Sequence, residues 1–379
     1  MLRYAVKKLL RNEAFSPCAE FAVTVVRSEL QPNIRRLTLA PSVAEAEGMK
    51  REIFYSILAL CLSIRGEGSQ PAIAVREAMC RTEVAHTAHL AVGDFRKLQT
   101  LVQLGEVLRD ERKFRESEAL YRQALSESTA AFGEDSFNTA AIENDLSNLL
   151  QRCGRYSEAE RLLQHSAATY ESAVGKQNIQ LAIVLNDLAV VYLAEHRYNE
   201  AEPVLDRALQ ILEAFQPLEA VELSDILNDL AFLKQRTGKR LEADALYKRS
   251  IDILERTVHG DDPRLAVLWA NRALLLSDLH DYEPADALYR RSLDAFERLF
   301  GSGSPRLRDV LKQYAILLRK MHRKGEARQM ELRIAQINSK TPDSRTSEMT
   351  IDVRALQPQA RFPVNPPLQS QSGSRQSTR

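Results

Sequence analysis

The sequence contains few residues whose types and spacing could support catalysis. The phosphate-binding patterns GxxxxGK[ST] and GxGxxG do not occur, and neither do the nucleophile pattern GxSxG and the zinc pattern HExxH. Asp187 and Asp229 recur at equivalent places along the chain, but general acid–base catalysis would need two carboxyl groups close together in a dry pocket. The sequence therefore predicts that the protein is not an enzyme.

Candidates for metal or cofactor binding are equally sparse. His86 and His89 lie one helical turn apart, but the sequence offers no third ligand near them. The cysteines are scattered and form no CxxC pair, which argues against structural zinc and against a disulfide framework. They are Cys18, Cys61, Cys80 and Cys153. We expect neither a metal nor a cofactor.

The chain is organised around a repeated pair of amphipathic helices. Within residues 184–213, apolar residues recur at helical spacing in two successive stretches, so each stretch predicts a helix with one apolar face. Shifting the sequence by 42 residues aligns it with itself. The full units are 100–141, 142–183, 184–225, 226–267 and 268–309, and a partial unit starts at Val310. A fixed period of this length predicts a solenoid of stacked helix pairs.

Small residues recur at two places of the unit, counting from its first residue. The sixth place holds Gly105, Ser147, Ala189, Ala231, Ala273 and Ala315, and the eighteenth holds Ser117, Ala159, Ala201, Ala243, Ala285 and Ala327. Two helix backbones can cross closely where both side chains are small, so these places mark the crossing within each pair. Tyr121, Tyr247 and Tyr289 share another place and are expected in the core, as is Trp269.

The repeat resembles the tetratricopeptide repeat over about residues 94–337. The longer unit is similar to the kinesin-light-chain-like subclass, whose motifs read LNNLAxLY, GxYxEAExLYxRAL and GxxHP. The matching segments are LNDLA at 227–231, YSEAE at 156–160, ALYRRSL at 287–293 and GDDP at 260–263. The resemblance implies an all-α, right-handed superhelix of five full helix pairs with a capping pair or helix. It also implies a protein–protein interaction scaffold or adaptor.

In that family the first helix of each pair lines a concave groove. The resemblance therefore implies that residues at the corresponding positions of this chain are candidates for peptide binding. They are Asn144, Asn186, Asn228, Asp187, Asp229, Gln151, Gln235, Arg152, Arg236 and Phe232. An asparagine side chain both donates and accepts hydrogen bonds, so a row of them could bind the backbone of an extended peptide. The family has asparagine at the places of Asp145, Asp187 and Asp229, and the change favours basic or amine-bearing peptides.

Two alternatives to this interpretation stay open. The asparagine and aspartate residues could instead solvate a helix face or form hydrogen bonds between repeats. The protein could also be a regulatory sensor whose superhelix changes pitch when it binds a peptide or ligand. The partner of either is a protein or a peptide, and the sequence specifies neither the partner nor the oligomeric state.

The charge balance excludes some partner classes. The chain has 379 residues with 52 basic and 51 acidic side chains, which gives a formal net charge of +1. A near-neutral balance gives no general reason to expect binding to nucleic acid or to an anionic membrane. The apolar run at residues 53–64 is too short to span a bilayer, so no stable membrane span is expected.

The regions outside the array allow more than one interpretation. Residues 1–74 do not join the repeat, and within them residues 49–74 have the basic start, short apolar core and A-x-A end of a secretory signal peptide. Translation from Met49 would then give an exported protein. The interpretation slightly favoured is a buried helix in a cytoplasmic protein that starts at Met1. Residues 75–99 are expected to form a capping helix region before the array at 100–337.

The tail at 338–379 is rich in Ser, Pro, Gln, Thr and Arg and is expected to be disordered. Its one alternating stretch, MTIDVRALQ at 349–357, could dock on the array as an extended segment.

Helix caps are also predictable from the sequence. We expect Asp94 and Asp262 to begin first helices, capping boxes at Ser157 and Asn199 to begin second helices, and glycines between units to end them. These glycines are Gly133, Gly175, Gly260 and Gly301.

Overall fold

The computed structural model describes residues 70–215, 220–258 and 261–340. Contacts divide the chain into two parts, residues 1–72 and 73–379, and the described residues belong almost entirely to the second. The expectations for a signal peptide at 49–74, for most of the 1–74 segment and for the tail beyond residue 340 therefore lie outside the described residues.

Thirteen α-helices make up the described part of the chain. They are α1 (Gln70–Thr87), α2 (Phe95–Asp110), α3 (Phe114–Phe132), α4 (Phe137–Arg152), α5 (Tyr156–Val174), α6 (Ile179–Ala194), α7 (Tyr198–Glu213), α8 (Ala220–Arg236), α9 (Arg240–Thr257), α10 (Pro263–Asp278), α11 (Tyr282–Phe300), α12 (Arg308–Lys320) and α13 (Lys324–Lys340). A short 3-10 helix, Pro305–Leu307, precedes α12. No described residue lies in a strand, and none of the described helices is long and apolar enough to cross a membrane.

The helices pack in consecutive pairs. Each first helix, from α2 to α12, packs on the second helix that follows it, and each second helix then packs on the next first helix. Six such pairs follow α1 in the described chain, which confirms the prediction of an all-α solenoid of helix–turn–helix repeats. The helix α1 begins before the capping helix region expected at residues 75–99, and its role as a cap stays a prediction.

The small residues lie where the sequence predicts close crossings. Ala159, Ala201 and Ala243 are fully buried. Ser117 is buried at the same place, and its Oγ donates a hydrogen bond to the carbonyl of Gly105 at 2.6 Å. A Cβ on Gly105 would lie 3.1 Å from the ring of Tyr121. Side chains at these places are therefore limited by the neighbouring helix. The predicted core residues Tyr121, Tyr247, Tyr289 and Trp269 are all buried.

A left-handed residue joins the two helices of every pair. The residues with positive φ at this turn recur every 42 positions: Arg112, Gly154, His196, Gly238, His280 and His322. The amide of the next residue donates to a carbonyl five residues back, as from Arg197 to Tyr192 at 2.8 Å. This is the Schellman arrangement, which satisfies the last carbonyls of a helix.

The capping boxes predicted at Ser157 and Asn199 are wrong. The second helices begin earlier, at Tyr156 and Tyr198, and the side chains of their N-cap residues make no capping hydrogen bond. The reason is the left-handed turn, which reverses the chain so tightly that the next helix has already begun at the predicted cap.

The caps predicted for the first helices are confirmed. The Asp94 side chain accepts a hydrogen bond from the Arg96 amide at 2.9 Å, and the Asp262 side chain accepts one from Arg264 at 2.8 Å. Gly133, Gly175 and Gly301 end second helices with positive φ, whereas Gly260 lies outside the described residues.

Ion pairs between successive second helices form a regular ladder. An arginine of one repeat pairs with a glutamate of the preceding repeat, 36 residues earlier, and the first three pairs of the ladder are 2.7–2.9 Å long. The pairs are Arg207–Glu171, Arg249–Glu213, Arg291–Glu255 and Arg333–Glu297. Each side chain is 30–55% exposed, so a single pair adds little stability. The repetition joins helices that share few backbone contacts.

Candidate functional site

The first helices form one continuous layer of the array. First helices of successive repeats contact one another directly, whereas second helices of successive repeats lie farther apart. The layer with the closer spacing lies on the inside of a curved array. We call the side of this layer that faces away from the second helices the inner face. In each unit it consists of the residues at the third, fourth, seventh, tenth and eleventh places, counted from the unit starts at residues 100, 142, 184, 226, 268 and 310.

The predicted asparagine row lies between neighbouring first helices. Asn144, Asn186 and Asn228 are each 5% exposed. Asn271 Nδ2 donates to Asn228 Oδ1 at 3.0 Å, and Asn228 Nδ2 donates to Asp229 Oδ1 at 3.1 Å. At least part of the row therefore bonds one repeat to the next, which is the alternative that the sequence left open.

The predicted aspartates have similar contacts. Asp187 is 1% exposed, and its Oδ2 accepts a hydrogen bond from Asn148 Nδ2 on the preceding first helix at 3.2 Å. Asp229 is half-buried beside Asn228. Asn144 differs from the others, because its Oδ1 is buried without a hydrogen-bond partner. The binding role of all these residues stays a prediction.

The C-terminal ends of the first helices carry longer polar contacts. Arg152 Nη1 lies 3.4 Å from Asp110 Oδ1, and Gln235 Nε2 lies 3.4 Å from Asp278 Oδ2, in each case across one repeat boundary. The Nε2 of Gln151 is buried without a partner.

Arg236 lies apart from this group. It is exposed, and its Nε donates to the hydroxyl of Tyr198 at 3.1 Å, at the turn of the preceding pair. The structure thus places Arg152 in contact with the preceding repeat and Gln235 in contact with the following repeat, and it directs Arg236 toward a neighbouring turn.

The seventh place of each unit forms a stripe along the inner face. From the first repeat to the last, it holds Glu106, Asn148, Val190, Phe232, Leu274 and Ile316. Val190, Phe232 and Leu274 are half-buried, and Ile316 is 43% exposed. The stripe is therefore polar in the first two repeats and apolar in the last four, and it leaves apolar surface open to solvent on the side where Phe232 was predicted to bind.

Glu106 is the residue of this stripe that the sequence interpretation missed. Its side chain is only 4% exposed, and its Oε1 has no hydrogen-bond partner. Burial and the nearby carboxylate of Asp145 raise the pKa of Glu106 to about 8, although the charge of Arg109 acts in the opposite direction. The sequence did contain a signal for Glu106, because four other units have an apolar residue at the seventh place and this unit has a carboxyl group.

Arg306 lies against the end of α11. It precedes α12, and its guanidinium lies 4.4 Å from the centre of the Phe300 ring. Arg306 contacts solvent, yet the surrounding protein lowers the pKa of its guanidinium. The charge of Asp110 raises this pKa and the charge of Arg152 lowers it.

A second titratable cluster lies away from the inner face. His165 Nδ1 is 2.8 Å from Glu143 Oε2, and His165 Nε2 is 3.3 Å from Asp135 Oδ1. The hydrogen bond to Glu143 raises the pKa of His165. Glu143 replaces the leucine found at this second place in four other units. Across the described ranges, no group of three or more His, Cys, Asp or Glu side chains is arranged to hold a metal ion.

Comparison with known proteins agrees with this architecture. The family model described as tetratricopeptide repeat matches residues 96–172, 138–214, 222–298 and 264–339, which together cover more than half of the chain. Overlapping matches start 42 residues apart, as the repeat does. No curated protein matched the sequence.

Solved structures of low sequence identity share the fold. BtubC (BKLC) from P. vanneervenii is 20% identical with a TM-score of 0.51, covering 61% of this chain and 93% of its own. The apo form of RapI is 12% identical with a TM-score of 0.56, covering 77% of this chain and 99% of its own. A putative kinesin light chain from Podosopora anserina with nearly identical TPR-like repeats is 18% identical with a TM-score of 0.45, covering 53% and 96%.

Proposed function

Because the chain belongs to the tetratricopeptide repeat family, we propose that it is a non-catalytic scaffold that holds a peptide or a partner helix against its inner face. The observation that carries this proposal is the apolar half of the seventh-place stripe. Val190, Phe232 and Leu274 remain half-exposed within a layer whose neighbouring places are mostly buried. Apolar side chains in a row on an otherwise polar surface are typical of an interaction site.

The spacing of the stripe suits a regular partner. Neighbouring helices pack about 8–10 Å apart, so the stripe presents one apolar side chain at roughly that interval. An extended chain advances about 3.3 Å per residue, so it would match the stripe with an apolar residue at every third position. A helix, with a rise of about 1.5 Å per residue, would match it with one apolar residue about every seventh position.

Buried polar atoms beside the stripe support the same use. Asn144 Oδ1 and Gln151 Nε2 lie on α4 without hydrogen-bond partners. One is an acceptor and the other a donor, so together they could pair with one peptide group of an extended partner. An unpaired buried polar atom costs about 1–3 kcal/mol, and a bound backbone would recover part of this cost.

The test is a capture experiment with the full-length chain as bait in lysate of the native host. Phe232→Ala combined with Leu274→Ala removes the centre of the apolar stripe. The matched control is Leu241→Ala, because Leu241 is an 82% exposed leucine outside the inner face. We expect the wild type and the control to capture the same partner and the double variant to lose it. Equal capture by all three would contradict binding at the inner face.

A regulatory sensor is the second candidate. The observation that favours it is the length of the contacts at the ends of the first helices, which are 3.4 Å for both Arg152–Asp110 and Gln235–Asp278. Contacts near the upper limit of a hydrogen bond cost little to break, so a partner could change the pitch of the array. Small-angle scattering with and without the captured partner distinguishes the two: a changed radius of gyration favours the sensor, and an unchanged one favours a rigid scaffold.

A further inference from the structure

His165 occupies a place that holds an arginine of the ion-pair ladder in later units. The twenty-fourth place holds Arg207, Arg249, Arg291 and Arg333 in the four units that follow, and each of them pairs with a glutamate 36 residues earlier. In the second unit this place holds His165, and the residue 36 positions before it is Thr129. Threonine carries no charge, so the ladder pair does not form at the boundary between the first two repeats.

His165 contacts two carboxylates instead, one at each ring nitrogen. Its Nδ1 lies 2.8 Å from Glu143 Oε2, and its Nε2 lies 3.3 Å from Asp135 Oδ1. A neutral imidazole has a single N–H group, so one carboxylate would then face a lone pair instead of a donor. When both carboxyl groups are ionised, only the imidazolium form of His165 donates to both.

This contact joins three elements. His165 lies on α5, Glu143 lies on α4, and Asp135 lies in the turn that connects α3 to α4. The same turn provides the cap of α4, because the Thr139 amide donates a hydrogen bond to Ser136 Oγ at 3.2 Å. The imidazolium therefore holds the turn between the first two repeats to both helices of the second repeat.

A turn farther along the array shows the same contact made by a permanent cation. Asp261 lies at the thirty-sixth place of its unit, as Asp135 does, and it accepts hydrogen bonds from Arg298 Nε at 2.7 Å and Nη2 at 2.8 Å. An arginine stays protonated at any ordinary pH. At the first boundary the corresponding cation is His165, whose ordinary pKa of 6.5 lies close to physiological pH.

We propose that His165 is a pH-dependent switch: its imidazolium holds the turn at residues 133–136 against α4 and α5, and loss of a proton releases this turn. The neutral ring keeps at most one of the two hydrogen bonds and loses its charge. The turn then opens more often, whereas the turn at Asp261 keeps its arginine. The switch acts within the array itself and does not depend on a bound partner.

The carboxylates around His165 favour its protonated form. The hydrogen bond to Glu143 raises the pKa of His165, burial lowers it, and the contact with Asp135 raises it further. Burial raises the pKa of Glu143, although His165 lowers it, and the charges of Glu134 and Asp135 add to the increase. The stabilisation by His165 is therefore complete below pH 6.5 and is lost as pH rises through its raised pKa.

Other charged groups near this helix have partners or lie elsewhere. On α5, Glu171 pairs with Arg207, and Arg161 is an exposed like charge one turn before His165. Within α6, which also packs on α5, the only charged residue is Asp187, and it lies in the layer of first helices. The pH response at this boundary is therefore assigned to His165 and its two carboxylates.

Hydrogen exchange of the full-length protein tests the switch. Exchange is measured at about pH 6 and about pH 8.5 and is corrected for the intrinsic effect of pH on amide exchange. In the wild type we expect opening at residues 133–140 to increase by roughly threefold or more between these values, because the proton that closes the turn is lost. Opening at residues 261–266, where the turn is held by arginine, should change clearly less.

Two variants at the same position give opposite results if the switch exists. His165→Arg introduces the ladder residue with its permanent charge, so opening should be slow and independent of pH. His165→Gln has no charge, so opening should be fast at both pH values. His89→Gln is the control, because His89 is an exposed histidine outside the repeat pairs, and it should keep the wild-type ratio. Thermal unfolding verifies that each variant is folded.

Three outcomes overturn the inference. They are a wild-type opening that does not change with pH, a pH-dependent opening that persists in folded His165→Arg, and equal changes at residues 133–140 and 261–266. If the variants of His165 do not fold, Glu143→Leu provides a second test, because four other units have leucine at this place. It should lose most of the wild-type ratio, and a ratio that it keeps would also overturn the inference.

Discussion

Asn148 donates a hydrogen bond to Asp187 across 3.2 Å, from the first helix of one repeat to the first helix of the next. Asp187 is almost fully buried, at 1% exposed, so this contact lies within the layer and away from solvent. It links the seventh place of one unit to the fourth place of the next. The contact therefore helps to set the offset between neighbouring first helices.

The first prediction concerns this contact. Asn148→Ala removes the donor and leaves the Asp187 carboxylate with one hydrogen bond fewer in a buried position. We expect a loss of about 1–3 kcal/mol in the free energy of unfolding, measured by urea denaturation. Gln103→Ala is the control, because Gln103 is half-buried on the first helix of the array, and it should lose clearly less. Equal losses would mean that the contact has no special role.

The second prediction concerns the left-handed turns. His322 has φ 62°, a conformation that costs a non-glycine residue about 1–2 kcal/mol and costs glycine little. We therefore expect His322→Gly to raise the thermal unfolding midpoint, and Gly238→Ala, at φ 84°, to lower it. Gly303→Ala is the control, because a Cβ there meets open space and φ is not in the left-handed region. A lower midpoint for His322→Gly would contradict the argument.

The third prediction concerns the crossing within the third pair. Ala201 is fully buried at the place where every unit has a small residue. Ala201→Leu should force the two helices apart and cost about 1–3 kcal/mol of stability. Ala119→Leu, at an exposed position of α3, should leave stability nearly unchanged. If both leucine variants unfold at the wild-type midpoint, the assigned crossing is wrong.

The fourth prediction concerns pH. The pKa of Glu106 rises from 4.5 to about 8 on folding, so between these values the folded protein holds a proton that the unfolded chain releases. This contribution to stability is fully present below pH 4.5 and is lost as pH rises toward 8, with a slope of at most about 1.4 kcal/mol per pH unit. Glu106→Gln should gain stability over the wild type steadily across this range.

Urea denaturation of both proteins at several pH values between 4.5 and 8 measures the difference. Glu143→Gln serves as a comparison, because burial also raises the pKa of Glu143, although its hydrogen bond to His165 acts the other way. A difference between the wild type and Glu106→Gln that does not change with pH would show that folding does not raise the pKa of Glu106.

The sequence predicts the helix pairs because periodicity and residue size determine them. Ala201 and Tyr247 recur with the 42-residue period and are buried as expected. Which side chains form hydrogen bonds with one another depends on the distance between packed helices. The repeat length does not specify this distance. The sequence therefore does not predict that Asn228 Oδ1 accepts a hydrogen bond from Asn271, at the fourth place of the next unit, and the peptide-binding role of Asn228 stays a prediction.

The sequence interpretation missed two other features for different physical reasons. His196 adopts a left-handed backbone conformation at its turn. Glycine is the residue that ordinarily indicates this conformation, so a histidine there did not predict it. Glu106 has the residue type of a solvated helix face, and only packing shows that its carboxyl group is buried. In both cases tertiary structure overrides the preference of the residue.

The ladder of Arg–Glu pairs between second helices makes the two layers of the array respond differently to ionic strength. Its rungs, such as Arg249–Glu213 at 2.7 Å, are solvent-accessible, so dissolved ions screen all of them at once. The inner face is joined by buried amide contacts such as Asn271–Asn228, which ions scarcely affect. Higher salt should therefore weaken the contacts between second helices more than the buried amide contacts between first helices.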